Sequence, residues 1–427
     1  MENSSKIRVL YIGPIPAEVG GQSSGGVATL CWGLATQAYK NGYEVYIGTE
    51  VNSSYNKNGV EVISLPSGSK LKKAAYALCF YVTNRKKLKG LDFLTWREKV
   101  EVLYKAYLLK GILKSVKPDL IHVLRMLENA IFSLNIINDC PPIVVTDNGI
   151  GTVYEYSFHE LYKIKRKVLL LNRIKQILKA ASCIISVSQF SKSSLLNTLS
   201  LSSSLKVKSV LNPVSTDKWQ FLDREWAKRV TGLDDKKVIL FCAVHFPIEI
   251  KGLDILLKTI ASDKNLSRSY NVLIITNEEV KVYTQNFIKA NNIERVTILG
   301  PQTWDELVKY YNAADIFVMP SKLEGIATVY YESLLAGVPV IGFSRNIEEL
   351  EKVLGIYVGE KFDAYKEDEK SLAEKIQRVL NTDFNRLLLR KKVLENLSWD
   401  TKFHEFDSIY RDIMSIGLNP NPKMGTG

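Results

Sequence analysis

At 427 residues the chain is longer than one hydrophobic core normally fills, so two domains are expected. Hydrophobic residues make up 46% of it and mean hydropathy is −0.04, which describes a soluble globular protein and excludes a disordered one. The formal charge of +12, with a pI near 9.2, points to an anionic partner: nucleic acid, a phosphorylated ligand or an acidic membrane face.

The opening MENSSKIRVLYIG runs directly into a strand, without the apolar segment of a secretory leader. Short β-branched runs then alternate with helical patterns. The first half has RVLYIG (8–13), EVYIG (44–48), VEVIS (60–64), DLIHV (119–123), PIVVT (142–146) and CIISV (183–187). The second half has KVILFCA (237–243), NVLIIT (271–276), RVTIL (295–299), DIFVM (315–319) and VPVIGF (338–343). Continuous apolar strands separated by helices imply parallel sheets covered on both faces, and two such sets imply two doubly wound α/β domains. LNPVSTDKW (211–219), with its Asn-Pro break, lies between the sets as the hinge. A last helix is expected from about Trp399 to Met414, with Trp399, Phe403, Phe406, Tyr410 and Ile413 on one face, followed by an aperiodic tail.

One insertion, SKLKKAAYALCFYVTNRKKLKG (69–90), interrupts the first domain. Its ten-residue apolar centre is too short to cross a bilayer. Flanking lysines and arginines suit an element lying at an anionic membrane surface, and equally a helix packed by its apolar face with a solvated basic rim. The basic stretch 162–179 leans toward the surface role. Cys31, Cys79, Cys140, Cys183 and Cys242 are scattered without a CxxC pair and are expected as buried reduced thiols. With four dispersed histidines and no Asp-x-Asp motif, no metal site is expected.

The chemistry concentrates in PSKLEGIATVYYESLLAGVPVIGF, 320–343. A strand ends at Pro320-Ser321, and a helix is expected from about Ala327 to Gly337. The carboxyl edge of a parallel sheet binds ligands, and a helix N-terminus there suits phosphate. Glu332 leans back toward the mouth that Glu324 borders. Two acids beside a phosphate make sense if they flank it and accept hydrogen bonds from hydroxyls on either side, as a nucleotide-sugar would offer. A glycosidase dyad and a pair of merely solvated acids are the rival readings.

The stretch resembles the retaining GT-B glycosyltransferases of family 4, in Pro320, Ser321, Glu324, Gly325, Glu332, Ala336, Gly337, Pro339 and Val340. GGQSSGGVATLCWGLATQAYKNGYEV (20–45), IISVSQFSKSSL (184–195), LNPVSTDKW and IKGLDILLKTI (250–260) extend the resemblance over nearly the whole chain. It implies two Rossmann-like domains with a cleft between them: 1–212 binding the acceptor and 213–396 binding the nucleotide-sugar. Residues 397–416 would form a helix crossing back onto the first domain, and 417–427 a flexible tail. By resemblance, Glu324 contacts the transferred sugar, Glu332 the ribose and Lys251 the diphosphate. The backbone of Gly325, Ile326, Ala327 and Thr328 holds phosphate and sugar oxygens, and Gly25 and Gly26 let their loop approach the donor.

Two departures from the family pattern stand out. LFCAVHFP has Ala243-Val244 in place of Gly-Arg, leaving His245 as a weak substitute cation. VVTDNG puts Asn148 where many members have a histidine that reaches the sugar, with Asp147 beside it available to acceptor or sugar. The expected mechanism is front-face transfer with retention, the leaving diphosphate taking the acceptor's proton, without metal or cofactor. The expected partners are a nucleotide-sugar donor, a lipid-linked or glycan acceptor and an anionic membrane surface at the cytoplasmic face. A soluble acceptor is the first alternative. Nucleic-acid binding on the same scaffold is the second, disfavoured because the basic residues interleave with aliphatics more than with aromatics.

Overall fold

The computed structural model describes residues 6–22, 25–84, 95–125, 140–149, 174–178, 180–199, 205–244 and 248–417. The chain divides into two compact units, Met1–Leu211 with Lys402–Gly427, and Asn212–Thr401.

In the first unit the strands are β1 Arg8–Ile12, β2 Glu44–Thr49, β3 Tyr55–Lys57, β4 Val60–Ser64, β5 Leu120–Val123, β6 Ile143–Asp147, β7 Cys183–Ser186 and β8 Lys206–Ser209. They form one sheet in the order β3-β4-β2-β1-β5-β6-β7-β8, parallel except where β3 folds back on β4. The helices are α1 Gly26–Lys40, α2 Lys70–Asn84, α3 Trp96–Val116 and α4 Gln189–Leu199. One sheet face buries Leu10, Ile12, Ile121, Val123, Ile143 and Val145 against Val102, Ala106 and Leu109 of α3.

The second unit has β9 Val238–Cys242, β10 Asn271–Ile275, β11 Val296–Leu299, β12 Ile316–Met319, β13 Val340–Phe343 and β14 Gly359–Phe362. Its helices are α5 Arg224–Val230, α6 Ile248–Lys251, α7 Leu253–Ser262, α8 Lys264–Ser269, α9 Glu278–Asn291, α10 Trp304–Ala313, α11 Thr328–Leu335, α12 Ser344–Leu354, α13 Glu369–Leu380 and α14 Arg386–Leu397. The sheet order β11-β10-β9-β12-β13-β14 is the doubly wound order of a dinucleotide-binding fold, with its switch point between β9 and β12. The final helix, α15 Trp399–Gly417, belongs to the first unit from Lys402 onward.

Three strands were not expected from the sequence: β3 (YNK), β8 (KVKS) and β14 (GEKF). All three are sheet edges. An edge strand faces neighbours on one side only and is kept polar and short, so it lacks the apolar run that marks a central strand. The cysteine expectation is corrected in part. Cys31, Cys183 and Cys242 are buried and Cys140 is half-buried, whereas Cys79 is exposed, because the apolar stretch of α2 is covered on one face only.

Candidate active site

The switch point of the second unit is built by two loops locked together. Lys251 ends α6, and Gly252 follows in the left-handed region at φ 75°. A Cβ on Gly252 would stand 2.1 Å from the Pro320 carbonyl oxygen, so only glycine lets this loop lie against the end of β12. The Lys322 N–H donates to the Ile250 carbonyl at 2.9 Å. This clamp brings the Lys251 ammonium to 2.6 Å from Glu324 Oε1, with 15% and 8% of the two side chains exposed.

After Glu324 the chain turns into α11. The Ala327 N–H donates to Asn346 Oδ1 at 3.1 Å, and Asn346 Nδ2 donates to the Gly325 carbonyl at 3.3 Å. The fully buried Asn346 thus fixes the backbone of Gly325, Ile326 and Ala327 from α12. No side chain caps α11: its N-cap is Ala327, and Thr328 opens the helix. The first-turn N–H groups therefore point out of the carboxyl edge with their dipole end uncapped by the protein's own side chains. At the opposite end Arg386 Nη2 and Arg390 Nη1 donate to the carbonyls of Ala336 (2.8 Å) and Leu335 (2.6 Å), placing cations at the negative pole.

Tyr330 pins α11 to the sheet. Its hydroxyl donates to the Met319 carbonyl at 3.0 Å and accepts from the Phe343 N–H at 2.9 Å. Gly342 makes room for that ring, since a Cβ there would stand 2.3 Å from it. Glu332, one turn into α11, is half-buried, and its Oε2 accepts from the Tyr311 hydroxyl at 3.4 Å. Burial pushes the Glu332 carboxyl up to about 7, against the pull of Tyr311. Burial, with the nearby Glu332 carboxylate, also pushes the Cys242 thiol at the end of β9 up to about 12.

The remaining expected site residues of the described chain lie in the first unit. Gly25 takes φ 113° as the N-cap of α1, a conformation suited to glycine. At Gly26 a Cβ would meet nothing within 4 Å, so the helix start presents bare backbone. Asn148 is half-buried, and its Nδ2 donates to the Leu124 carbonyl at 2.9 Å. Asp147 corrects the expectation of a carboxylate in contact with sugar or acceptor. It is 1% exposed, and its Oδ2 accepts from the hydroxyls of Ser186 (3.1 Å) and Ser191 (2.9 Å). It ties the end of β6 to β7 and α4 and so positions Asn148 and Gly149. His245 falls outside the described residues.

Sequence reasoning missed Asn346, Tyr311 and Tyr330, which lie outside or beside the motif glutamates with no short-range pattern to mark them. It also missed a polar chain in the first unit, which runs across adjacent strands. His122 Nδ1 lies 2.7 Å from the Tyr410 hydroxyl, His122 Nε2 lies 2.7 Å from Thr146 Oγ1, and Tyr11 reaches Tyr410 at 3.4 Å.

Among the described residues no cluster of three His, Cys, Asp or Glu side chains stands ready for a metal, and no helix is long and apolar enough to cross a membrane. An uncharacterized glycosyltransferase of Methanocaldococcus jannaschii is 26% identical over 412 residues, covering 92% of this chain and 95% of that protein. A D-inositol 3-phosphate glycosyltransferase of Corynebacterium aurimucosum is 26% identical over 209 residues, 45% of this chain and 48% of that one. Sucrose-phosphate synthase from Thermosynechococcus elongatus superposes with a TM-score of 0.70 at 16% identity, over 96% of this chain and 100% of that structure. The Anabaena protein HepE, crystallised with UDP-glucose, superposes at 0.67 and 14% identity, over 95% and 100%. The profile of glycosyl transferases group 1 matches residues 223–396 and that of glycosyltransferase family 4 matches residues 24–218, unit by unit, and the chain is therefore a family 4 glycosyltransferase of the GT-B fold.

Proposed function

We propose that this glycosyltransferase transfers sugar with retention and without metal or cofactor, from a nucleotide-sugar to a lipid-linked or polysaccharide acceptor in cell-surface glycan synthesis. The observation that carries the donor half is the Lys251–Glu324 pair beside the uncapped start of α11 at the switch point. An ammonium has three donors, so Lys251 can serve Glu324 and a phosphate oxygen together. In this reading Glu324 also accepts from a sugar hydroxyl and Glu332 from the ribose. The backbone of Gly325, Ile326 and Thr328 faces the phosphates and the sugar, the Ala327 N–H being held by Asn346. Gly25 and Gly26 admit the donor's other side, and Asn148 reaches the sugar. In a front-face reaction the leaving diphosphate takes the acceptor's proton, and Lys251 with the helix dipole stabilises the charge that develops on it. Fixed cationic charge then does what a metal ion does in other transferases.

The acceptor half rests on α2. Leu71, Leu78, Tyr81 and Val82 are 85%, 63%, 45% and 58% exposed, whereas Ala77 and Phe80 are buried. Leu71, Ala75, Leu78 and Val82 recur at steps of four, three and four, so they share one outward face. Lys70 and Lys72 are exposed at its start, while Lys73 turns inward to Glu101 at 2.7 Å. Arg85, Lys86 and Lys87 lie outside the described residues, as does most of the basic stretch 162–179. An apolar face beside lysines suits the boundary of an anionic bilayer, with the enzyme held at the cytoplasmic surface. A soluble acceptor is the second reading, favoured by the similarity to proteins named for D-inositol 3-phosphate.

A thermal-shift screen of nucleotide-sugars identifies the donor, and NMR of the transfer product gives the anomer. An inverted anomer overturns retention. Flotation with anionic vesicles tests the acceptor reading. Leu71→Ser with Leu78→Ser should lower binding at any salt. Lys70→Gln with Lys72→Gln should lower it by about 1 kcal/mol per charge, and less as salt rises. Equal flotation by all variants favours the soluble acceptor.

A further inference from the structure

The donor chemistry of the second unit lies at the carboxyl edge of its sheet, but a cavity of about 440 Å³ opens at the amino edge. Its walls are the residues that lead into the strands, Lys237 before β9, Asp315 before β12 and Pro339 before β13, with Arg224 of α5, Arg386 of α14 and the turn from Asn381 to Phe384. β12 is four residues long, so roughly 13 Å of strand separates the two edges. The volume falls within the range of small-molecule sites.

The charge of this cavity is unbalanced. Asp315 is fully engaged: it accepts from Arg224 Nη1 at 2.7 Å and from the Val238 N–H at 2.9 Å, and Lys228 Nζ lies 3.2 Å away. Among the residues that line the cavity, the cations Arg224, Lys237 and Arg386 outnumber the acids Asp315 and Asp383, while Lys228 behind them also lies 3.9 Å from Glu225. Arg224 Nε is buried with no hydrogen-bond partner, a guanidinium donor left without an acceptor. Burial lowers Arg386 to about 10, with the nearby charge of Arg224 adding to the effect and Asp315 and Asp223 opposing it. Lys237 is held at the wall by its bond to the Leu380 carbonyl. A dianion in the cavity would offset the positive charge of Arg224, Lys237 and Arg386, while Arg386 keeps its Nε and Nη2 donors on the carbonyls of Gly337, Ala336 and Asn312.

We propose that this amino-edge cavity binds a small organic phosphate of about sugar-phosphate size, as an effector site separate from the donor site. The test uses inorganic phosphate as probe, titrated at constant ionic strength into the full chain carrying Lys251→Ala, which removes the donor-site cation, with binding read by calorimetry. Saturable binding is expected, weakened at least tenfold by adding Lys237→Gln. Because Lys237 also caps a helix, a second variant, Asn381→Asp, adds a like charge at the exposed rim and removes no packing. It should weaken phosphate at least fivefold with unchanged circular dichroism. Absence of saturable binding, or equal affinity in the Asn381→Asp protein, overturns the proposal.

Discussion

The charge of the donor site should rest on Lys251, and two effects of removing it can be separated. Lys251 and Glu324 meet at 2.6 Å with little of either side chain exposed. Lys251→Ala leaves the Glu324 carboxylate buried and unpaired, a change that typically costs about 3–5 kcal/mol of stability when a buried pair is broken. Exposure of 8–15% places this pair near the lower end. Lys251→Ala with Glu324→Ala removes both charges and should recover most of that loss. Catalysis should not recover, because the cation at the leaving diphosphate is still missing. Removal of one preorganised group at developing charge lowers the rate by about 10²–10³, or 2.7–4 kcal/mol. Lys251→Arg should rescue only in part, since a planar fork does not replace a point charge in a formed pocket. The assay is nucleoside-diphosphate release with the donor found by thermal shift, beside chemical unfolding of the same four proteins. If Lys251→Ala keeps more than a tenth of wild-type turnover, another cation serves the diphosphate and the placement of charge is wrong.

Glu332, with a folded pKa of about 7 above its unfolded value near 4.5, adds stability at low pH that is lost as pH rises through 7. Glu332→Gln should therefore be more stable than wild type at pH 8, by no more than about 3 kcal/mol, and no different at pH 4, by thermal unfolding. The same variant should bind nucleoside diphosphate more weakly by about 1–3 kcal/mol in calorimetry. Gly252→Ala combines φ 75° with a 2.1 Å clash against Pro320 and should lower stability by more than about 1 kcal/mol, with release of the Lys251 loop seen as lost donor affinity. His122, lowered to about 3 by burial, contributes stability present above pH 6.5 and lost as pH falls toward 3. A His122→Gln protein should show a flatter acid unfolding curve over that window.

The alternation of apolar runs made both doubly wound sheets legible, because central parallel strands are buried on two faces and leave no polar residue to blur the pattern. The edge strands β3, β8 and β14 were not legible, for the converse reason, whereas the edge strand β11 kept its apolar run and was. Within the site the sequence carried one backbone requirement, in the Lys-Gly element whose Gly252 lies against Pro320; Gly342, demanded by the Tyr330 ring, was not singled out. What it could not mark was the direction in which a side chain is used. Asp147 ends β6 and Glu324 follows β12, yet two serine hydroxyls from elsewhere in the first unit occupy one, while a lysine 73 residues away occupies the other. Asn346 braces the Gly325–Ala327 backbone from the next helix, and nothing short-range in the sequence distinguishes it from a solvated asparagine.

Two glutamates at a helix mouth read as a charge of −2 where a diphosphate should bind, and the fold removes most of that charge by two routes. Glu324 is cancelled by direct contact with Lys251. Glu332 is denied its charge by burial, with a carboxyl that is about half protonated near pH 7. Both oxygens remain hydrogen-bond acceptors or donors for hydroxyls while the field at the start of α11 stays favourable to phosphate. The dependence on pH follows: as Glu332 ionises above about 7 the mouth becomes more negative, so the affinity of wild type for free nucleoside diphosphate relative to that of Glu332→Gln should fall with rising pH, the ligand's own phosphate ionisation cancelling in the ratio. A ratio independent of pH between 6 and 8.5 would show that Glu332 carries no charge the phosphates can feel, and the two-route account would fail at its second step.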